Sequence, residues 1–244
     1  MRGTSGLSVL RLKILPRIKL PEGEAKTRTV RSMFDAIAPR YELVNHIITF
    51  NLDRRWRRRA VQDLALPLES TVLDVAAGTG DFCRELQRQG MRPIATDLSF
   101  GMMDAGGAFA PRVQADAAHL PFATGSFDGV TCGYALRNFT ELRAAITEIA
   151  RVTRPGGRVV FLEVANPRGG LLKLGFTVWF RGVVPVIGSL LSNRAAYRYL
   201  PKSTAYLPDS EEICAMMRDA GLSTVQHRLI LGGLSQQFTA TKAI

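Results

Sequence analysis

The stretch of this sequence best suited to holding a ligand is Val72-Leu73-Asp74-Val75-Ala76-Ala77-Gly78-Thr79-Gly80-Asp81. A short β-branched run ends there in small residues, and Asp81 opens a helical pattern. Gly78 and Gly80 permit backbone conformations and a close ligand approach that a side chain would block, and the bend aims a helix N-terminus at the ligand. The stretch lacks the GK[ST] ending of a phosphate-binding loop, and its Ala76, Gly78, Gly80 spacing departs from GxGxxG. Asp97 lies sixteen positions after Asp81, at the end of the next apolar run. A carboxylate at such a strand tip can accept both hydroxyls of a ribose. Asp116-Ala117, followed by Leu120-Pro121-Phe122, makes a polar, small turn suited to flanking an adenine, and Gly133-Tyr134 closes a later strand. Each feature alone also fits a solvated strand-end acid or loop. Jointly they favour a nucleoside ligand, with Asp74, Gly78, Gly80, Asp97, Asp116, Ala117 and Gly133 as candidate contacts.

Positioning these residues takes a doubly wound α/β sheet. From Ser70 onward, short apolar runs alternate with amphipathic stretches. Strands are expected over 71–75, 93–97, 112–114, 127–133, 158–163, 224–230 and 236–241, the last two as an edge hairpin around Gly232-Gly233. Helices are expected over 80–89, 99–108, 141–153 and 210–220. The third sets Leu142, Ala145, Ile146, Ile149 and Val152 at helical spacing, and Pro155-Gly156-Gly157 turns the chain into the fifth strand. The expected fold is a Rossmann-like seven-stranded sheet, mostly parallel with an antiparallel edge hairpin, plus an N-terminal helical extension. The domain spans 28–244, with a helical cap at 28–69 and a substrate-side insertion at 167–208, after a flexible basic tail at 1–27.

The chain's 244 residues suit one large domain, and 46% hydrophobic with 22% charged residues excludes disorder, collagen-like repeats and a disulfide scaffold. Cys83, Cys132 and Cys214 are far apart and form no CxxC, so neither a disulfide framework nor a zinc cluster is indicated, and a reducing cytoplasm fits. The net charge of +11 is lopsided, because residues 1–60 hold 14 basic and 5 acidic side chains. Such an arm suits nucleic acid or an anionic membrane face, and composition does not choose between them. Charges interrupt the apolar residues of 1–20 too often for a secretory signal, leaving a loose tail or an interfacial anchor. Segment 171–191 carries Lys173, Arg181, three glycines and Pro185, which argues against a membrane span. It reads as a buried or lid-like helix pair, serving either as an apolar substrate wall or as plain core. No RNP-like motif, zinc finger or catalytic cysteine pair points to a nucleic-acid partner.

Longer segments narrow the reading. Phe34-Asp35 with Tyr41-Glu42-Leu43-Val44-Asn45-His46-Ile47-Ile48-Thr49 and Trp56 is similar to Y-D-x-M-N-x-x-[LIVM]-S with a later Trp. Arg151-Val152-Thr153-Arg154-Pro155-Gly156-Gly157-Arg158 through Leu162-Glu163 is similar to R-V-L-K-P-G-G...L-E. Ala135-Leu136-Arg137-Asn138 matches G-L-R-N, and Tyr197-Arg198-Tyr199-Leu200 with Ser203 matches Y-x-Y-L-x-x-S. Over about Ser32 to Thr241 the chain thus resembles the UbiE/MenG family of class I S-adenosylmethionine methyltransferases. The resemblance implies C-methylation of a prenylated quinol ring, demethylmenaquinol first, with a ubiquinone precursor or another small apolar acceptor as the alternative. It implies S-adenosyl-L-methionine as cofactor, no metal, and contacts to the cofactor from Thr79, Asp97, Asp116, Ala117 and Gly133. Gly133 is usually Ser in that family, so a side-chain hydrogen bond is lost. Glu42 for Asp, Val44 for Met, Thr49 for Ser, Asp53 for His and Thr153 for an aliphatic residue also depart from the pattern, as does the Gly232 to Gln237 stretch.

Methylating a quinol carbon requires alignment, exclusion of water and a stabilised phenolate. Arg137-Asn138 is the candidate catalytic pair. Arg137, whose guanidinium stays charged, would stabilise the phenolate and Asn138 would orient it; alternatively, Arg137 forms a structural ion pair with a helix acid. His46 is a rival base in the segment expected to close over the substrate, whereas His119 and His227 read as surface residues. Tyr41 and Tyr199 would line the quinone pocket or simply pack. The expected partners are the prenylated quinol and a peripheral membrane surface, met by the basic N-terminus, the Arg54 to Arg59 cluster and segment 171–191. Nucleic acid is not expected, the oligomeric state is open with a homodimer among its options, and the expected location is cytoplasmic with peripheral membrane association.

Overall fold

A computed structural model describes residues 23–165 and 203–244 together with Gly175, Trp179 and Gly182. Residues 1–22 of the expected tail, most of the expected insertion, segment 171–191 and Tyr199 lie outside the described residues. The sheet comprises β1 (Thr71–Val75), β2 (Arg92–Asp97), β3 (Arg112–Gln114), β4 (Phe127–Gly133), β5 (Thr153–Val164), β6 (Leu222–Ile230) and β7 (Ser235–Lys242). Its order is β3-β2-β1-β4-β5-β7-β6. Strands β1 to β5 are parallel, and β7 runs antiparallel to both β5 and β6. The chain steps outward from β1 to β3 and then returns to lay β4 on the other side of β1. The carboxyl ends of β1 and β4 therefore flank the crevice in which open α/β sheets take their ligands.

The parallel strands are apolar on both sides because helices cover both faces. Side chains alternate between faces along a strand, so Leu73, Val159 and Phe161 pack with α6 (Leu142–Val152) and α7 (Ser210–Asp219). Their neighbours Val72, Val160 and Leu162 pack with α3 (Leu52–Leu64) and α4 (Asp81–Arg88). Helix α7 starts where the Asp209 side chain accepts the Glu212 N–H at 2.9 Å, and α5 (Phe100–Ala105) starts where Ser99 accepts that of Met102 at 3.1 Å. Among the described residues, no helix is long and apolar enough to cross a membrane.

The antiparallel hairpin lies at the sheet edge as expected, with β6 outermost and β7 between it and β5, burying Phe238. Two expectations are corrected. Residues 155–157 do not precede the fifth strand but bulge within it, since the register jumps from Phe127↔Thr153 to Gly129↔Arg158. Finally, α1 (Gly23–Ile37) begins inside the stretch expected to be tail. Lys26 is buried there, its Nζ donating to the Phe139 carbonyl at 2.7 Å and lying 4.0 Å from the Tyr206 ring centre. A long apolar stem lets such a residue serve as packing.

Candidate functional site

A cavity of about 400 Å³ lies at the carboxyl ends of β1, β2 and β4 and is walled on one side by α1. Of the residues singled out from the sequence, Gly78, Asp97, Asp116, Ala117, Gly133 and Asn138 line it, as does Tyr41. The bend after β1 is left-handed at Ala76, Gly78 and Gly80, with φ of 56°, 56° and 90°. That course points the Gly78 N–H at Asp97 Oδ2 (2.8 Å), while the Ser99 N–H reaches Oδ1 (2.8 Å). Both oxygens are thereby fixed, yet each keeps capacity to accept a further hydrogen bond. Burial pushes the Asp97 carboxyl up to about 6, against the lowering pull of the Ser99 and Gly78 N–H groups. Asp116 is exposed and accepts the Ala118 N–H at 2.9 Å, ordering the turn that carries Ala117.

Three expected cofactor contacts do not line the cavity. Asp74 is buried behind the bend, accepting from Thr131 Oγ1 at 2.9 Å and Cys83 Sγ at 3.5 Å, and burial pushes it up to about 7. Thr79 is buried off the lining, and Gly80 packs its backbone against the Phe109 ring, where no Cβ fits. Gly133 does line the cavity, and its departure from serine has a neighbour to explain it. A Cβ there would lie 2.6 Å from the Phe82 ring, so Phe82 fills the space a larger residue would need.

The candidate catalytic pair is split. Arg137 and Asn138 occupy a 3-10 turn (Leu136–Asn138) after β4. Arg137 is buried off the cavity lining, and its guanidinium donates to the Glu163 carboxylate, to the Tyr134 carbonyl (2.6 Å) and to Ser203 Oγ (3.1 Å). The expectation that it faces the acceptor is corrected: a buried ion pair claims it, with an acid from β5 rather than from a helix. Asn138 faces the cavity, and its Oδ1 is buried without a hydrogen-bond partner. The same is true of Thr96 Oγ1, which the sequence did not single out. An unpaired buried polar atom costs about 1–3 kcal/mol. Both atoms are shielded from the cavity as well, so the fixed carboxylate of Asp97 is the polar group that this wall offers a ligand's hydroxyls.

The histidines divide differently from expectation. His119, expected at the surface, is exposed but also rims the cavity. His227 lies on β6, stacked 4.8 Å from Phe238 and 2.9 Å from Gln236 Oε1. His46, on α2 (Tyr41–Thr49), is off the lining; its Nε2 accepts from Arg54 Nε at 3.3 Å. His46, Asp53 and Asp81 bring three potential metal-ligand atoms within 4.8 Å. The buried Arg57 guanidinium already bridges the two carboxylates, paired with Asp53 and 3.4 Å from Asp81, and so holds the place of a cation. Arg57 also lies 5.5 Å from the ring centre of Tyr134, a cavity-wall residue whose hydroxyl is 3.2 Å from Ser235 Oγ. Sequence reasoning missed the α1 contribution of Thr27 and Arg31, for which no local motif exists, and quoted Phe34 with a family segment without placing it at the ligand. Glu163 had a signal, since it closes the segment that begins at Arg151.

A family model described as the ubiE/COQ5 methyltransferase family matches residues 22–242. The demethylmenaquinone methyltransferase of Mycolicibacterium vanbaalenii is 41% identical over 222 residues, covering 90% of this chain and 97% of that protein. The ubiquinone/menaquinone biosynthesis C-methyltransferase UbiE of Geobacter sulfurreducens is 38% identical over 231 residues, covering 90% of each. Among solved structures, a SAM-dependent methyltransferase of Thermotoga maritima, described as a possible histamine N-methyltransferase, aligns with a TM-score of 0.63 at 18% identity over 87% of this chain and 99% of that one. A phosphoethanolamine N-methyltransferase of Haemonchus contortus, solved with S-adenosylhomocysteine, aligns with a TM-score of 0.65 at 14% identity over 88% of this chain and 60% of that one. The solved structures share the fold.

Proposed function

Since the chain belongs to the ubiE/COQ5 methyltransferase family, we propose that it transfers a methyl group from S-adenosyl-L-methionine to a ring carbon of a prenylated quinol, converting demethylmenaquinol to menaquinol. The observation that carries this reading is the Asp97 carboxylate, fixed by the Gly78 and Ser99 N–H groups, on the cavity at the β1/β4 crevice. A ubiquinone precursor is the second reading, favoured by the name of the Geobacter sulfurreducens relative, which covers both quinones.

The sulfonium of the cofactor supplies an activated methyl and its own leaving group, so the reaction as proposed needs no metal. Asp97 takes the ribose hydroxyls, Gly78 lets the backbone approach, and Asp116 and Ala117 flank the adenine. Asn138, on the cavity lining, orients the quinol ring through its side-chain amide. Arg137 is a positioning residue: clamped to Glu163, it holds the turn that aims Asn138. Helix α1 covers the cavity and keeps water from the transfer. A prenylated acceptor dissolves in a bilayer, so the enzyme works at a membrane surface. Incubation with methyl-labelled S-adenosyl-L-methionine and a panel of reduced naphthoquinones and benzoquinones tests the reading. Mass spectrometry should place the label on a ring carbon of the demethylnaphthoquinol; label on oxygen, or no quinol turned over, overturns it.

A further inference from the structure

Between β3 and β4 the chain runs through residues 115–126 without a helix or strand, and Asp116, Ala117, Ala118 and His119 of this stretch line the cavity. A loop of that length has no ladder of its own, so its backbone groups take their partners from outside it. Two side chains on α6 supply them. The Leu120 N–H donates to Glu148 Oε2 at 2.9 Å, while Arg151 Nη2 donates to the Leu120 carbonyl at 3.0 Å and Nη1 to the Phe122 carbonyl at 2.8 Å. Nη1 also lies 3.5 Å from Thr124 Oγ1, and the Gly125 N–H reaches the Arg151 carbonyl at 2.9 Å. Among the described residues, every hydrogen bond that ties 116–125 to an element outside the loop goes to Glu148 or Arg151. The two are locked to each other, Nε to Oε1 at 2.6 Å and Nη2 to Oε2 at 2.7 Å. One face of α6 serves both places, since Ala145 on the cavity wall and Glu148 are neighbours on the helix. Arg151 also opens the segment Arg151-Val152-Thr153-Arg154-Pro155-Gly156-Gly157, yet no residue of that segment lines the cavity.

We propose that Arg151, locked to Glu148, is a positioning residue for the adenine side of the cavity. It fixes the turn at 116–119 so that Asp116 and Ala117 stand where an adenine base is received. A guanidinium is required, because its planar fork reaches two carbonyls and a carboxylate at once, whereas an ammonium is a point donor. Since the loop lines the adenine side, Arg151 acts on affinity for the adenosyl half and leaves the transfer step to other residues. This inference rests on the S-adenosyl-L-methionine reading.

Arg151→Met keeps the apolar stem and Arg151→Lys keeps the charge, but neither presents the fork. In calorimetry each should raise the Kd of S-adenosylhomocysteine and of adenosine by the same factor, about tenfold, the scale of one charge-assisted hydrogen bond. In the labelled-methyl assay the KM for S-adenosyl-L-methionine should rise likewise at unchanged kcat. Hydrogen exchange over 116–125 should quicken in both variants. Arg143→Met, which removes only the Asp219 ion pair from the same helix, should change none of these. A brace that serves stability alone lowers the melting temperature and leaves Kd and KM at the parent values; that result overturns the proposal, as does full rescue by Arg151→Lys or a fall in kcat with KM unchanged. If the parent chain binds neither adenosyl compound, the cofactor reading falls and takes the adenine role with it. Binding by the parent with both variants unaffected removes the role of Arg151 alone.

Discussion

Asp97 shows how one residue type in one place takes on its chemistry. Two backbone N–H groups hold its carboxylate and burial opposes its ionisation, so both oxygens are free to accept, with full charge, only above pH about 6. A ligand whose hydroxyls donate to it binds the ionised form and releases the proton. Cofactor affinity, measured by calorimetry, should fall as pH drops through about 6 and level off above about 7. Asp97→Asn should weaken binding by roughly tenfold or more, since hydrogen bonds to a charged group contribute about 1.5–3 kcal/mol, and should abolish the pH dependence. A persistent dependence in the variant would refute the assignment. Asp97 and Gly78 were legible in the sequence because a strand tip and a glycine bend are local features. Arg137 was not, because a guanidinium after a strand serves equally as anion binder or brace. The choice lay with Glu163, 26 residues away on the neighbouring strand.

At the scale of elements, α1 joins both lips of the cavity. On one side Asp35 accepts from Ser99 Oγ at the start of α5; on the other Lys26 holds the Phe139 carbonyl and Thr27 Oγ1 lies 2.8 Å from Thr140 Oγ1. A helix tied at two places across a cavity it lines must release one tie to admit a ligand. Lys26→Met keeps the apolar stem and removes the charged donor. It should speed cofactor dissociation in stopped-flow measurements by about tenfold, given the 1.5–3 kcal/mol typical of such a bond, and lower the melting temperature by several degrees, at about 2–4 °C per kcal/mol. An unaltered off-rate would sink the idea of α1 as cover. The helical character of this region was expected, but its start was placed five residues late, because basic residues were read as solvated rather than packed.

For the whole molecule, the burial that creates the crevice also places acids inside the sheet. The unfolded chain releases the Asp74 proton near its ordinary value of 3.8, whereas the folded chain keeps it to about 7. Across that window the native state binds more protons, so stability declines as pH rises from about 4 to 7. Asp97 adds to the decline up to about 6. Asp74→Asn should flatten the profile of urea midpoints between pH 4 and 8. A slope parallel to that of the parent chain would show that Asp74 titrates normally.

The sequence by itself determined the alternation of strands and helices, the glycine bend, the acid at the next strand tip and the family. These depend on periods of two or 3.6 residues and on backbone freedom at single positions, which neighbours in the chain decide. The tertiary structure alone decided that Arg137 is braced by Glu163, that Thr96 and Asn138 meet on the lining of one cavity, and that Phe82 takes the room beside Gly133. Each of those outcomes is a pairing between elements distant in sequence. The partner of a polar atom, or the cover of an apolar one, is fixed only when strand order brings both to the same place.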